Sequence, residues 1–323
     1  MQKIKVGIVG YGNLGRGVEL ALSKNDDMQL VDVFTRRDNV KTLSGFAKNI
    51  DEVSNFKNAI DVMIMCGGSA LDLPTQSVEM LKNFNTVDSF DNHPEIDNHF
   101  EHMDAVGKAS GHLGVISVGW DPGLFSIART MFDAFLPQGN EYTFWGKGVS
   151  QGHSNAIREI EGVVDARQYT IPIESAVESV RRGDNPVLSK RQKHKRDCYV
   201  VAQDGADKAL IQQTIVSMPS YFADYDTTVH FITAEEMQKN HSALPHGGNV
   251  LRSGKTSEDN KHILELSIKL DSNSEFTSSV LVAFARAVVK MSKNGQSGCV
   301  TALDIPLGLL SPKSPQQLRR ELV

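Results

Sequence analysis

The chain has little cysteine: Cys66, Cys198 and Cys299 are the only three in 323 residues. Because they are odd in number, far apart and without a C-x-x-C pair, they indicate a reducing compartment rather than a disulfide framework. An export signal is not expected either, since the first residues, MQKIKVGIVG, enter a strand pattern without a long apolar stretch and a small-residue cleavage site. We therefore expect a cytoplasmic protein.

The sequence also has no long apolar run and no excess of positive charge. The most apolar late segment, SSVLVAFARAVVKM, is too short to cross a bilayer and contains Arg286, so it predicts a buried helix. A net charge of -5 disfavours binding along a phosphate backbone. We expect a small-molecule partner, with neither nucleic acid nor membrane.

What is present is a globular composition, 40% hydrophobic and 23% charged, at a length typical of two domains. Near the amino terminus, apolar β-branched runs alternate with helical patterns, which predicts a parallel sheet covered on both faces. Longer alternating runs after about residue 120 predict an α+β domain on a mixed or antiparallel sheet. The five strands predicted for the first domain span 4–9, 28–34, 59–68, 86–93 and 114–123.

A glycine motif follows the first strand directly: Gly10, Tyr11, Gly12, Asn13, Leu14 and Gly15 fit G-x-G-x-x-G. In a strand–turn–helix context this motif binds dinucleotides, since the second glycine admits the pyrophosphate and the helix N-terminus favours its charge. The alternative is a purely structural turn. The predicted fold class is therefore α/β, with a Rossmann-type parallel-sheet domain over residues 1–120 and an α+β substrate and dimerisation domain over 121–275. Residues from about 276 to 323 are a candidate to pack back on the first domain.

The residues at the end of the second predicted strand distinguish NADP binding from NAD binding. An NAD-binding chain usually has an acidic residue there, whereas this sequence has Thr35, Arg36 and Arg37, and Asp32 lies inside the strand. Hydroxyl and guanidinium donors suit a ribose 2′-phosphate, so we expect NADP as cofactor. The alternative is that the two arginines are a solvated charge pair.

The other strand ends are also glycine-rich or polar, and ligands bind beyond such ends in parallel sheets. Cys66 in this set has no activating histidine beside it, so a small thiol at the core edge is favoured over a nucleophile. The further cofactor-binding candidates are Cys66, Gly67, Gly68, Ser69, Ser89, Phe90, Asp91, Val118, Gly119, Trp120, Asp121 and Pro122.

Polar residues of a candidate substrate site are scattered through the chain. They include Asp91, Asp121, Trp145, the SQGHS segment at 150–154, Thr170, the KRQKHKRD run at 190–197, and His246. Each has a purely structural alternative: Asp91 and Asp121 as turn caps, Trp145 as a core aromatic, and the basic run as a solvated surface. His246, interpreted as a loop histidine before two glycines, suggests a ligand contact. The histidines form no spacing that demands a metal, so we expect none.

Over essentially its whole length the sequence resembles the meso-diaminopimelate D-dehydrogenase family. The resemblance is carried by long segments such as VGYGNLGR, GWDPGLFSI, TFWGKGVSQGHS, KHKRDCYVV and GQSGCVTALDIP. It implies a homodimer that uses NADP⁺ to oxidise the D-centre of meso-2,6-diaminoheptanedioate to L-2-amino-6-oxoheptanedioate, ammonia and NADPH. That reaction belongs to the lysine and peptidoglycan-precursor route.

The resemblance also implies roles for individual residues. Asp91, Asp121 and Trp145 would hold the D-centre with Gln151 and Gly152, and Thr170, Arg196, His246 and Asn273 would hold the distal L-centre. Asp91 or Asp121 is the candidate catalytic proton acceptor. Asn155 departs from the family, in which Asp is frequent at that position.

Other functions stay open on the sequence alone. They are an NADP-dependent dehydrogenase of broader D-amino-acid specificity, an NADP-binding regulator without turnover, and nucleic-acid binding through the basic run, which the net negative charge disfavours.

Overall fold

The computed structural model describes residues 3–323. Its strands are, in chain order, β1 (Ile4–Val9), β2 (Met28–Thr35), β3 (Lys48–Asn49), β4 (Val62–Met65), β5 (Asn85–Asp88), β6 (Leu113–Val115), β7 (Gly139–Trp145), β8 (Gly148–Ser150), β9 (Val163–Pro172), β10 (His194–Ala202), β11 (Asp226–Phe231), β12 (His246–Lys255), β13 (Lys261–Leu270) and β14 (Gly298–Val300). Its helices are α1 (Asn13–Leu22), α2 (Leu73–Leu81), α3 (Ile96–Ser110), α4 (Leu124–Phe135), α5 (Gln151–Arg158), α6 (Glu174–Arg181), α7 (Lys190–Lys193), α8 (Lys208–Ser217), α9 (Ala234–Asn240), α10 (Asn273–Lys293) and α11 (Pro315–Leu322).

The chain divides into two compact units. Unit 1 comprises the residues up to Ile127 together with Ser274–Val323, and unit 2 comprises Ala128–Asn273. The sequence placed the corresponding boundaries near residues 120 and 275.

Unit 1 is built on a seven-stranded sheet in the order β14-β6-β5-β4-β1-β2-β3, and every neighbouring pair in it is parallel. All four residues of β4 are fully buried, and alternate ones enter two separate apolar clusters. A strand that is buried on both faces requires the continuous apolar run that the sequence has here. The predicted Rossmann-type α/β fold is confirmed.

The carboxyl ends of β1, β2, β4 and β5 meet at one edge of this sheet because the strands are parallel.

The prediction of a fifth strand over residues 114–123 is wrong beyond Val115, where β6 ends. Ser117 has a φ of +58°, and a Cβ at Gly123 would lie 2.1 Å from the carbonyl oxygen of Gly119. Residues 117–123 therefore form a tight turn rather than a strand.

The late apolar segment forms the long helix α10, and Arg286 within it is only 2% exposed. Its guanidinium bonds Asp27 at 2.6 Å, the Asn25 Oδ1 at 2.6 Å and the carbonyl of Leu310 at 2.8 Å. These partners explain how a cation is accommodated in a buried helix. In residues 3–323 no helix is both long and apolar enough for a membrane span.

Unit 2 contains two sheets. The first, β11-β10-β9-β8, is mixed, since β10 pairs with β11 in parallel and with β9 antiparallel; the second, β13-β12-β7, is antiparallel. Helices α5 and α8 pack on the first sheet, and α6 packs on the second. The expected α+β architecture is confirmed.

Strand β12 was missed by the sequence analysis, which interpreted His246 and its two glycines as a loop. The structure corrects this, because His246 is the first residue of β12 and is 9% exposed. A Cβ at Gly247 would lie 2.4 Å from the carbonyl oxygen of Ile268 on β13. Glycine is therefore required here for the close approach of two strands.

Candidate active site

The glycine turn between β1 and α1 has the shape that its spacing predicts. Gly10 has a φ of +92°, and a Cβ at Gly15 would lie 2.2 Å from the carbonyl oxygen of Gly10. A Cβ at Gly12, in contrast, would meet no atom within 4 Å. The first and third glycines thus close the turn, while the second leaves open space in front of the N-terminus of α1, where a phosphate is favoured.

A cavity of about 210 Å³ lies at this edge of the sheet. Nine of the residues predicted to bind the cofactor line it: Gly10, Tyr11, Gly12, Thr35, Arg36, Arg37, Cys66, Gly67 and Gly68. Val9, Ile50, Asp72 and Gln76 complete the lining. Asn13, Leu14 and Gly15 belong to the first turn of α1 and are not part of the lining.

The two arginines at the end of β2 are held differently. Arg36 pairs with Asp72 at 2.5 Å, although its side chain is 65% exposed. Arg37 donates to the carbonyl oxygen of Tyr11 at 2.6 Å, and its own N–H donates to the Thr35 hydroxyl at 3.2 Å. Arg37 therefore braces the glycine turn, whereas Arg36 is an exposed cation at the cavity, kept in place by a carboxylate.

Two further strand ends are joined by a hydrogen bond. The Ser69 hydroxyl, after β4, accepts the N–H of Asp91, after β5, at 2.9 Å. Cys66, at the start of the same loop as Ser69, is buried, and burial raises the pKa of its thiol well above the ordinary value. A neutral thiol is a poor nucleophile, which favours the interpretation of Cys66 as a structural residue.

Asp91 and Asp121 both lie on turns that follow strands of the parallel sheet. Asp91 is exposed, two residues after Ser89, and Asp121 is half-buried in the tight turn at 117–123. The N–H groups of Leu124 and Phe125 donate to the carbonyls of Gly119 and Trp120 at 3.0 and 2.8 Å, which folds the turn back onto the start of α4.

In unit 2, strand pairing gathers three predicted residues from distant segments. Thr170 on β9 lies opposite Arg196 on β10 and opposite Gly148 on β8. The Thr170 hydroxyl accepts a hydrogen bond from Arg196, and a Cβ at Gly148 would lie 2.5 Å from the ring of His246. Thr170, Arg196 and His246 therefore surround one point at the edge of the mixed sheet.

Arg196 is buried, with 6% exposure, and its guanidinium lies 4.1 Å from the ring centre of Tyr225. Its Nε makes no hydrogen bond within residues 3–323, and no carboxylate there forms an ion pair with it. Burial lowers the pKa of Arg196. A buried cation of this kind is costly unless an anion joins it.

Trp145, the last residue of β7, is fixed through its backbone. Its N–H donates to Nε2 of His194 at 2.8 Å, and the two rings stack with centroids 5.5 Å apart. Burial, with the nearby charge of Arg196, lowers the pKa of His194 to about 3. Neutral His194 on β10 thus holds the end of a strand in the other sheet of unit 2.

The remaining predicted residues of unit 2 lie at helix starts. Gln151 and Gly152 open α5 and are exposed, and the Ser150 hydroxyl caps that helix. Asn155, on the same helix, accepts a hydrogen bond from Arg158. Asn273 donates its N–H to the carbonyl of Leu244 at 3.0 Å.

The basic run at 190–197 does not form a single cationic surface. Lys190 pairs with Asp224 at 2.9 Å and Arg191 with Asp226 at 3.3 Å, while His194 and Arg196 point inward from β10. Among residues 3–323, no group of three or more histidine, cysteine or acidic side chains is placed to hold a metal ion.

Comparison with known proteins assigns the family. The family model of the diaminopimelic acid dehydrogenase C-terminal domain matches residues 119–272. A meso-diaminopimelate D-dehydrogenase of Ureibacillus thermosphaericus is 57% identical, and the alignment covers 100% of both chains. This chain belongs to the meso-diaminopimelate D-dehydrogenase family.

Two solved structures are similar to this dehydrogenase over its full length. The Corynebacterium glutamicum DAP dehydrogenase in complex with DAP is 42% identical with a TM-score of 0.95, and 100% of each chain is covered. An engineered D-amino acid dehydrogenase bound to NADP⁺ is 41% identical with a TM-score of 0.90, again with 100% of each chain covered.

Sequence reasoning missed several residues that support the site of this dehydrogenase. Asp72 orders Arg36, His194 orders Trp145, and Asp88 with His99 lies beneath the turns that carry Asp91 and Asp121. An aspartate at the end of an apolar strand, as in TVDSF, was the one local signal available for Asp88. The contacts of Asp72 with Arg36 and of His194 with Trp145 join residues 36 and 49 positions apart, which no local pattern reveals.

Proposed function

We propose that this dehydrogenase catalyses the reversible, NADP-dependent oxidative deamination of the D-centre of meso-2,6-diaminoheptanedioate. The products are L-2-amino-6-oxoheptanedioate, which cyclises to tetrahydrodipicolinate, together with ammonia and NADPH. The observation that carries the proposal is the full-length identity of 57% to a meso-diaminopimelate D-dehydrogenase. The solved relative that binds DAP, with a TM-score of 0.95, supports the same substrate.

The residues at the cavity of unit 1 fit NADP. The open space at Gly12 suits a pyrophosphate against the N-terminus of α1, and Arg36 with Thr35 suits a 2′-phosphate at the end of β2. Asp72 keeps the Arg36 guanidinium at this place before a nucleotide arrives. A solved relative bound to NADP⁺ supports the assignment.

The distal end of the substrate is assigned to Arg196, Thr170, His246 and Asn273. The buried Arg196 guanidinium has the charge and the forked geometry for a carboxylate, and Thr170 orients it. The Nδ1 of His246 accepts the N–H of Gly247 at 2.8 Å, which fixes the imidazole beside Gly148 as a further polar group for this end. Because no carboxylate among residues 3–323 pairs with Arg196, a carboxylate ligand would supply its missing counter-ion.

The reacting end of the substrate is assigned to Asp91 and Asp121, both of unit 1; Trp145, Gln151 and Gly152 of unit 2 are further candidates for binding it. Bound NADP⁺ supplies the hydride acceptor. A carboxylate oxygen of Asp91 or Asp121 holds the ammonium of the D-centre and accepts one of its protons, directly or through water, so that an amine is oxidised to an imine that water then hydrolyses. Hydride transfer needs the Cα–H within about 3 to 3.5 Å of its acceptor, so positioning contributes much of the rate.

A homodimer in the cytoplasm is part of the proposal. The few, unpaired cysteines support a reducing compartment, since all three are buried free thiols. Light scattering of the purified protein tests the dimer; a mass of about 35.5 kDa, that of one chain, would contradict it.

One observation favours a second candidate, a dehydrogenase of broader D-amino-acid specificity. Asn155 on α5, where the family resemblance implies an aspartate, is uncharged and accepts a hydrogen bond from Arg158. Side-by-side rates with meso-diaminopimelate, D-lysine and D-alanine separate the two functions. Comparable kcat/KM for all three favours the second candidate, and a strong preference for meso-diaminopimelate favours the first.

A further inference from the structure

Asp88 is a fully buried carboxylate that the proposed reaction does not use directly. It ends β5, has no exposed surface, and precedes Asp91 by three residues. A buried carboxylate is costly unless several donors satisfy it. The groups that donate hydrogen bonds to Asp88 therefore indicate its role.

The partners of Asp88 come from two strand-end turns. Its Oδ1 accepts the N–H of Phe90 at 3.1 Å and the N–H of Ser117 at 3.2 Å. Its main-chain carbonyl accepts the N–H of Val118 at 3.0 Å. One residue thus joins the turn that carries Asp91 to the turn that carries Asp121.

The second carboxylate oxygen is held from the helix behind the sheet. Nε2 of His99 on α3 lies 3.0 Å from Asp88 Oδ2, and His99 is 4% exposed. The His99 ring also packs on Phe90, with centroids 4.4 Å apart. His99 therefore fixes both the carboxylate and the turn that the carboxylate binds.

One of these turns is held in an unfavourable conformation. Ser117 has a φ of +58°, in the left-handed region that a non-glycine residue adopts only at a cost in free energy. Such a conformation persists only where the surroundings enforce it, and the bond from its N–H to Asp88 does so. Without that bond the turn can relax, and Asp121 would move with it.

We propose that Asp88 and His99 are positioning residues that set the separation of Asp91 and Asp121 for hydride transfer. The inference rests on the proposed function, which places those two carboxylates at the reacting centre. The pair bonds Phe90 and Val118, which are among the cofactor-binding candidates, but it touches neither the glycine turn nor Thr35 to Arg37, where the phosphates are proposed to bind. Its loss should therefore lower kcat more than it weakens nucleotide binding.

The test compares His99→Leu, His99→Gln and Asp88→Asn with wild type. Leucine removes the contact to Oδ2, whereas glutamine restores a donor at about the reach of Nε2. We expect His99→Leu and Asp88→Asn to lower kcat about 10- to 100-fold, in line with the cost of an ångström-scale misplacement. His99→Gln should recover most of the loss, and the Kd for NADP⁺ should stay within about threefold, less than one ordinary hydrogen bond is worth.

A readout independent of turnover uses Trp120, which lies in the turn with Asp121 and is 8% exposed. In a Trp145→Phe background it is the only tryptophan left. Quenching of its fluorescence by acrylamide, without nucleotide or substrate, should increase in His99→Leu and return toward wild type in His99→Gln.

Asp104→Asn is the matched control, because Asp104 lies on the same helix but its Oδ1 accepts the N–H of Cys299 at 3.1 Å on β14. It should lower the Tm without changing kcat. The inference is overturned if folded His99→Leu keeps the wild-type kcat, if His99→Gln restores nothing, or if Asp104→Asn loses kcat equally. If Asp88→Asn fails to fold, the two His99 variants decide. A wild type without turnover contradicts the proposed function instead.

Discussion

Arg36→Ala should separate the two nicotinamide nucleotides. In the protein Arg36 touches Asp72 and lies at the cavity beside Thr35, whereas the glycine turn is braced by Arg37. Removing Arg36 therefore deletes a partner for the 2′-phosphate and leaves the pyrophosphate site intact. NADPH binding should weaken, and NADH binding should not.

The magnitude follows from one charge-assisted hydrogen bond, which contributes about 1.5 to 3 kcal/mol. Because the Arg36 side chain is 65% exposed and already pairs with Asp72, the lower limit applies. That corresponds to about a tenfold rise in Kd for NADPH. Replacing Arg36 and Arg37 together should raise it about 100-fold, with a smaller loss for NADH because the glycine turn also loses its brace.

Calorimetric titration with both nucleotides measures these constants. Arg182→Ala is a matched control, because Arg182 is 62% exposed and pairs with Asp184 at 2.8 Å. It belongs to unit 2, whereas the residues that line the cavity belong to unit 1. Asp72→Asn removes the carboxylate that orders Arg36 and should weaken NADPH binding less than Arg36→Ala does. Equal losses of NADPH and NADH affinity in Arg36→Ala would refute the assignment of the 2′-phosphate.

Three further predictions concern the other charges. Arg196→Met should raise the KM for meso-diaminopimelate about 10-fold or more while changing that for D-alanine little, since only the former has a distal carboxylate to lose. Steady-state kinetics with both substrates measure this. The free energy of unfolding should fall as the pH drops from about 6.5 toward 3, because the unfolded chain binds a proton at His194 in that range while the folded chain, with its pKa near 3, does not. Denaturant unfolding at several pH values should show a slope about 1.4 kcal/mol per pH unit shallower in His194→Gln. Arg286→Met should lower the free energy of unfolding by about 3 kcal/mol, because Asp27 loses its ion pair. Urea unfolding measures the loss, and Asp27→Leu in the same chain should recover part of it.

Each of these has a contradicting result. Equal KM changes for the two substrates would remove Arg196 from the distal end. A His194→Gln variant with the wild-type slope would show that His194 is not kept neutral by the fold. An Arg286→Met variant as stable as wild type would show that its ion pair with Asp27 contributes nothing to unit 1.

The parts of unit 1 that the sequence predicted well are those that local patterns specify. A β-branched run followed by three spaced glycines and a helical pattern describes β1, the turn and α1 within a few residues. The position of Arg36 follows too, because it depends only on where β2 ends. The roles predicted for these residues stay predictions until nucleotide binding is measured.

The parts that were missed depend on contacts between distant segments. The glycines of β12 look like a loop until the opposing carbonyl of Ile268 is known. His194 looks like part of a solvated basic run until β10 turns it toward Trp145, 49 residues away. Such pairings arise from sheet register and packing, which a single sequence does not display.

The central claim is tested most directly by adding purified meso-diaminopimelate to the enzyme with NADP⁺ and following the absorbance of NADPH. We expect NADPH formation together with equal release of ammonia, and no reaction with the LL-isomer, which has no D-centre. NADPH formation from the LL-isomer at a similar rate, or none from the meso-isomer, would contradict it.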